Sequence, residues 1–230
     1  MKIPLKDDTN IVELTSRRIE ILLNFANLKQ DDVFYDIGSG RGEIVRTAFR
    51  KYKVKKSIGI ELLKSLYRIS IKKTLNSFSN NPIGEGIEFW YGDFSSCDNE
   101  KYYIYNITNA TVIFNSLDPT KEEENFYKTQ FPTKKIRIIK KDMPLIGYLP
   151  KSINKEDRLM WFYLMETPLL KKTKSKTKWF KSILNNPNST EEDFFKHLKK
   201  QWKKRGIYES DIKEGIEDLK EMINLELTKD

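Results

Sequence analysis

VFYDIGSGRGE, residues 33 to 43, decides the fold. Three of the 10 glycines in the chain fall within five positions here, directly behind the apolar run Val33-Phe34-Tyr35. Glycine tolerates positive φ and lets a ligand approach the backbone closely, so such a cluster marks a sharp turn or a binding loop. Downstream, Ile44 to Tyr52 reads as a helix and KSIGIEL, from Lys56 to Leu62, as the next strand. Upstream, residues 10 to 28 carry apolar positions at helical spacing behind an Asn10/Glu13 capping pattern. Strand, glycine turn, helix and second strand within about thirty residues make a βαβ unit, which demands a parallel sheet with right-handed crossovers.

The alternation continues. Lys64 to Phe78 reads as a helix, IEFWYGDF at 87 to 94 as a strand ending in a Gly-Asp turn, and ATVIFNSL at 110 to 117 and KIRIIKK at 135 to 141 as further strands. MWFYLM at 160 to 165 supplies a last one. The expected fold class is α/β, a Rossmann-like three-layer sandwich on a mostly parallel sheet over residues 1–170. Composition then shifts. KKTKSKTKWFKS holds six lysines in twelve residues, and NNPNS follows as a breaker, so 171–188 reads as a basic linker. Ser189 with Glu192 suggests a capping box, Gly206 a helix stop and Ser210 a second start, which makes 189–230 a helical hairpin.

Composition narrows the function classes. With 38% hydrophobic residues the chain builds a real core. A formal charge of +9 admits nucleic acid or an acidic surface as partner, beside an ordinary lysine-rich surface. The single cysteine, Cys97, excludes an intramolecular disulfide, and the single histidine, His197, disfavours histidine metal sites and Ser-His-Asp triads, so no metal is expected. His197 falls on the polar side of a lysine-rich helix and reads as surface. No apolar run approaches the ~20 residues of a membrane span and no signal-peptide core is present, so a cytoplasmic protein with no membrane partner is expected.

A glycine turn between strand and helix commonly receives phosphate. Here there is no Gly-Lys-Ser/Thr ending, and Asp36 and Glu43 put negative charge where a pyrophosphate would sit. Acidic loop residues suit a ligand carrying an ammonium or sulfonium group instead. Glu61 ends the second strand, where a βαβ nucleoside site places an acid for both ribose hydroxyls. Asp93 ends the third and suits an adenine amino group, with Phe94 beside the ring. Each carboxylate alone fits a helix cap or a solvated strand end; three at successive carboxyl ends point to a ligand, since that edge is where open α/β sheets bind.

DIGSGRGE, GIEL, GDF and ATVIFNSL together resemble the successive motifs of class I S-adenosylmethionine-dependent methyltransferases. QDDVFYDIGSG, NATVIF, the run Arg137-Ile138-Ile139 and Gly147 to Lys151 are similar to the protein lysine methyltransferases of the disruptor-of-telomeric-silencing type and their small archaeal relatives. The likeness covers residues 10 to 166 and leaves 170 to 230 outside. It implies S-adenosyl-L-methionine as cofactor, with Asp36, Gly38, Ser39 and Gly40 around its methionine part, Glu61 on the ribose, and Asp93 with Phe94 at the adenine. Thr15 matches a polar residue that closes over the cofactor, and Asn115 the substrate-facing position after the fourth strand, where it also meets the cofactor. The histone-specific members carry an Asn-Asn-Phe type segment there, whereas this chain reads Asn115-Ser116-Leu117-Asp118.

Methyl transfer to an amine is an in-line displacement that needs a neutral nitrogen about 3–3.5 Å from the methyl group. A desolvated channel helps a lysine shed its proton. Asn115 and Tyr148 are the catalytic candidates, Asn115 to align the amine, and Phe114, Tyr148 and Phe94 are either channel walls or ordinary core. For Asn115 the alternative is a strand-end cap. NSLDP lacks the Pro-Pro-aromatic segment with which adenine amino methyltransferases grip a flipped base. A protein lysine substrate is therefore favoured, with an RNA methyltransferase or a non-catalytic adaptor as alternatives. The 171–181 lysine run, interrupted by Trp179 and Phe180, offers phosphate contacts and base stacking, or a solvated linker.

Overall fold

A computed structural model describes residues 13–94, 107–117, 119–157, 160–169, 172–204 and 206–227. Asn10, Cys97 and Asp118 therefore lie outside the described residues. Seven strands form one sheet in the order β3-β2-β1-β4-β5-β7-β6. They are β1 (Val33–Ile37), β2 (Lys56–Glu61), β3 (Ile87–Tyr91), β4 (Val112–Asn115), β5 (Arg137–Lys141), β6 (Ser152–Asp157) and β7 (Met160–Glu166). β1 to β5 pair in parallel, and β7 runs antiparallel to both β5 and β6. The edge strand β6, SINKED, was not anticipated, because its half-exposed polar residues lack an alternating apolar face.

Side chains on one face of the sheet, among them Phe34, Val112, Phe114, Ile139 and Phe162, pack under α1 (Ser16–Phe25) and α2 (Glu43–Tyr52). Val45 of α2 meets Phe89 and the apolar side of α3 (Lys64–Ser77). The opposite face, with Tyr35, Ile37, Ile58, Ile113 and Ile138, receives Phe126 and Tyr127 of α4 (Lys121–Gln130). Thr120 caps α4 by accepting from the Glu123 N–H, and three glutamates occupy the positive first turn.

The C-terminal segment corrects the expected linker. Residues Lys176–Leu184 form α5, capped by Ser175, and join α6 (Glu191–Lys204) and α7 (Glu209–Glu226) in one apolar cluster with Met143, Ile146 and Tyr163. Trp179 and Phe180, which the lysine run offered either as stacking platforms for bases or as part of a solvated linker, are 0% and 1% exposed and fill the centre of that cluster. Trp179 also donates from Nε1 to the Tyr148 carbonyl at 3.1 Å. The periodic spacing of Trp179, Phe180, Ile183 and Leu184 outweighs the lysines between them, which remain outside, save Lys176. Buried Lys176 bonds Glu191 and Asn224. The capping box of α6 sits one residue later than expected: Thr190 and Asp193 exchange the two bonds. His197 is half-buried rather than free surface, stacked on Trp161 at 3.6 Å. No described helix is long and apolar enough to cross a membrane.

Candidate active site

Strand order reverses between β1 and β4, the point where an open α/β sheet splits to admit a ligand at its carboxyl edge. A cleft lies there. Gly38, Ser39 and Gly40 line it together with Phe114 and Ser116 from β4 and the residue beyond it, Glu13 and Leu14 ahead of α1, and Lys141 at the end of β5.

The glycine turn is shaped by positive φ at Gly38, Gly40 and Gly42, and Gly42 opens α2 in the left-handed conformation. A second glycine requirement comes from the neighbouring strand. A Cβ on Gly59 would stand 2.7 Å from Ser39 Oγ and 2.9 Å from Phe89, so β2 makes room for Ser39 by having no side chain there. Behind the turn, buried Arg46 ties α2 to the loop and to α3, donating to the Arg41 carbonyl at 2.9 Å and to Glu43 at 2.6 Å. Arg41 reaches Glu13 at 3.2 Å and so links the loop to the segment ahead of α1.

Four of the loop's amides are already spent. Gly38 and Ser39 N–H both donate to the Ile60 carbonyl at 2.9 and 3.0 Å, Gly42 N–H to the Ser39 carbonyl at 2.9 Å, and Gly40 N–H to Glu61 Oε2 at 2.7 Å. A phosphate cradle needs such groups aimed at the ligand, so this loop is not one. What it does present is an orphaned acid. Asp36 is 1% exposed, stands between Gly59 and Phe114 across the sheet, and neither carboxylate oxygen has a hydrogen-bond partner; Ser39 Oγ is unpartnered too. Burial, and then the nearby Glu61 charge, push the Asp36 carboxyl up to about 8. A bare carboxyl group beside an unbonded hydroxyl fits the ammonium end of an amino-acid ligand. Glu61, at the end of β2, accepts from Gly40 N–H and from Leu63 N–H at 2.8 Å, which fixes its carboxylate beside the loop with lone pairs left for hydroxyl donors.

The other sequence-predicted residues divide. Thr15 is exposed at the N-terminus of α1, next to the cleft-lining Leu14. Asp93 and Phe94 follow β3, half-buried, with Phe94 edge-on to Phe126 at 5.3 Å. Phe114 lines the cleft and also packs edge-on to Phe162. Asn115 is fully buried: its amide donates to Glu123 at 2.8 Å and Tyr127 at 3.3 Å, and its oxygen accepts from Leu117 N–H at 2.8 Å. Such bonds make it a strand-end clamp. Tyr148 does not join the cleft lining. It is 2% exposed, donates to Glu124 at 2.9 Å, and has the Lys128 and Lys172 ammonium groups over its ring. The alternative readings, strand-end cap and core packing, describe these two side chains as placed.

Arg46 and Lys140 were missed from sequence, and Ser116 and Leu117 were read only as a departure from the family's segment. Lys140 alone left a signal, since strand alternation puts it on the same face as the core residue Ile138.

Residues 8–118 match the family model described as histone methylation protein DOT1, a span that runs through the glycine loop to the residue after Leu117. A protein-lysine N-methyltransferase from Saccharolobus islandicus is 26% identical over 134 residues, 58% of this chain and 76% of that protein. An RNA methyltransferase from Salinibacter ruber, solved with S-adenosyl-L-homocysteine, superposes with a TM-score of 0.55 at 22% identity, over 68% of this chain and 94% of its own. A putative tRNA (m1A22) methyltransferase from Streptococcus pneumoniae, solved with S-adenosyl-L-methionine, gives 0.57 at 14% identity over 92% of this chain and 100% of its own, a share too large to leave out the C-terminal helices. With a seven-stranded sheet, a glycine loop flanked by acids, and the matches to the DOT1 model and to a protein-lysine N-methyltransferase, the chain is a class I S-adenosylmethionine-dependent methyltransferase.

Proposed function

We propose that the chain methylates lysine side chains of proteins. Bound S-adenosylmethionine supplies a methyl group on a sulfonium centre. Asp36 and Ser39 hold the cofactor's ammonium end, Glu61 accepts from its ribose, Asp93 with Phe94 takes its adenine, and the Gly38–Gly40 turn leaves room for its backbone. Thr15, with Glu13 and Leu14, closes over it from the N-terminal side.

The observation that carries the choice of acceptor is the wall beside Gly38. Ser116 Oγ and the Leu117 side chain lie 3.5 and 3.4 Å from where a Gly38 Cβ would be. That wall is a serine hydroxyl beside a leucine side chain, with Asn115 turned inward and no Pro-Pro-aromatic segment to bracket a planar base. An alkyl ammonium chain passes such a wall, sheds its proton as it desolvates, and needs no general base from the protein. The relative described as a protein-lysine N-methyltransferase supports the same acceptor.

An RNA acceptor is the competing reading, favoured by the exposed lysines of α5 and α6, including Lys178, Lys181, Lys200 and Lys204. Burial of Trp179 and Phe180 weighs against it, since the run offers no ring on which a base can stack. The test is transfer of labelled methyl from S-adenosylmethionine into a cell extract, with a Glu61→Ala control, followed by protease and ribonuclease. Protease-released label recovered as methyl-lysine is the expected result. Label released only by ribonuclease refutes the lysine reading.

A further inference from the structure

The β4–α4 loop is held by a buried ion pair that neither the cofactor site nor the core requires. Lys140 is 0% exposed, and its ammonium group donates to Glu123 Oε2 at 2.8 Å, Glu123 Oε1 at 3.0 Å and the Leu117 carbonyl at 2.7 Å, which uses all three hydrogens. Glu123, 1% exposed in the first turn of α4, also accepts from Asn115. Asn115 and Lys140 are direct partners in the β4–β5 register. Between them they hold both polar groups of the Leu117 backbone, Asn115 taking the N–H and Lys140 the carbonyl.

Leu117 has little else to fix it. Its side chain is 43% exposed and reaches Gly38, while Ser116 before it lines the cleft. Two charges taken out of water are costly, and an apolar pair of the same volume commonly gives equal or better stability. What an apolar pair cannot do is dictate where one backbone N–H and one carbonyl point. We propose that Lys140 and Glu123 are positioning residues for methyl transfer: through Leu117 they fix the wall that guides the acceptor nitrogen to the methyl group, while leaving cofactor affinity to the glycine loop. The role rests on methyl transfer itself and not on the identity of the acceptor.

The double variant Lys140→Met with Glu123→Gln removes both charges together and so leaves no unpaired ion in the core. Its melting temperature is expected within about 4 °C of wild type. Hydrogen exchange of the peptide carrying Leu117 should rise about tenfold. The turnover number on whichever extract fraction the wild type labels should fall about 10- to 100-fold, because a small misplacement of a reacting group costs that much. Affinity for S-adenosylmethionine, by titration calorimetry, should change less than about threefold, within the scatter of an indirect effect. Asn115→Ala, which spares the ion pair and removes the acceptor for the Leu117 N–H, should repeat the pattern and serves if the double variant does not fold. Unchanged exchange at Leu117 overturns the proposal, as does faster exchange with wild-type turnover, or a loss of affinity parallel to the loss of turnover. Label found in RNA would refute the lysine acceptor and leave this comparison intact.

Discussion

Replacing Asp36 with asparagine should stabilise the protein while weakening its grip on the cofactor. The acid is buried, unbonded and pushed up to about 8 from an ordinary 3.8, first by burial and then by Glu61. In the folded chain it therefore keeps a proton that the unfolded chain releases, and linkage makes that a cost which grows as pH rises from about 4 and levels off near 8. At pH 7 the separation from 3.8 is a little over three pH units, so the cost has an upper bound of about 4 kcal/mol at 1.36 per unit. Relaxation of the protein around a buried acid lowers it, and about 2–4 kcal/mol is the working range. Asparagine has the same shape and no charge, so Asp36→Asn should raise the melting temperature at pH 7 by about 5–15 °C for a chain of this length. The gain should shrink as pH falls toward 4. Calorimetric melting of both proteins from pH 4.5 to 8 measures it. Affinity for S-adenosylmethionine moves the other way: a bound cation favours the carboxylate, so wild-type affinity should climb with pH toward 8 while the variant binds at least about tenfold more weakly. A variant less stable than wild type at pH 7, or a stability difference that does not vary with pH, would refute the account of Asp36 as an uncompensated acid.

Three further outcomes follow from contacts already described. Gly59→Ala forces a Cβ to within 2.7 Å of Ser39 Oγ and 2.9 Å of Phe89, so it should cost about 1–3 kcal/mol in denaturant melts and lower cofactor affinity; a neutral effect on both would show that Ser39 is free to move. Glu61→Gln should leave the melting temperature within about 3 °C but weaken S-adenosylmethionine binding at least tenfold in calorimetry, as expected where a charged acceptor of hydroxyl protons is lost. Trp179→Ala should cost about 3–5 kcal/mol and lower the midpoint of a single transition, because Trp179 joins the C-terminal cluster to the Tyr148 carbonyl. Two separate transitions, with the α/β part unshifted, would mean that α5–α7 is a tethered appendage after all.

The sheet was legible because its signals are local. Glycines that must take positive φ, carboxylates at successive strand ends and strand-length apolar runs all sit within a few residues of one another, so β1, α2, β2 and the acids Asp36 and Glu61 could be placed from neighbours alone. The surroundings of Tyr148 and the helix within residues 171–188 were not legible in this way. A tyrosine in a polar loop reads equally as channel wall or core until α5 and Lys172 arrive to cover it, and a lysine run reads as solvated until the apolar residues at helical spacing inside it find Met143, Ile146 and Tyr163. The cover of Tyr148 depends on segments about thirty residues apart, whereas the helical spacing inside the lysine run was a local signal that the charge around it outweighed in the reading.

The same difference of range explains how the site is divided. Apart from Thr15, the residues expected to meet the cofactor lie on the glycine turn and at or just beyond strand ends, where sequence and position coincide. The acceptor wall is different in kind. Leu117 is placed by Asn115 from its own strand, Lys140 from the next and Glu123 from the helix between them, and neither Lys140 nor Glu123 belongs to a motif. A family that keeps the cofactor motifs and varies the fourth-strand loop can thereby change its acceptor without touching its cofactor. In this chain, whose loop reads Asn-Ser-Leu, the ion pair beneath the loop does the placing that a motif residue would otherwise do alone. Acceptor choice should accordingly respond to changes at Ser116, Leu117 and Lys140 while cofactor affinity responds to changes at Asp36, Gly59 and Glu61, and a substitution in one set that altered both properties equally would contradict the division.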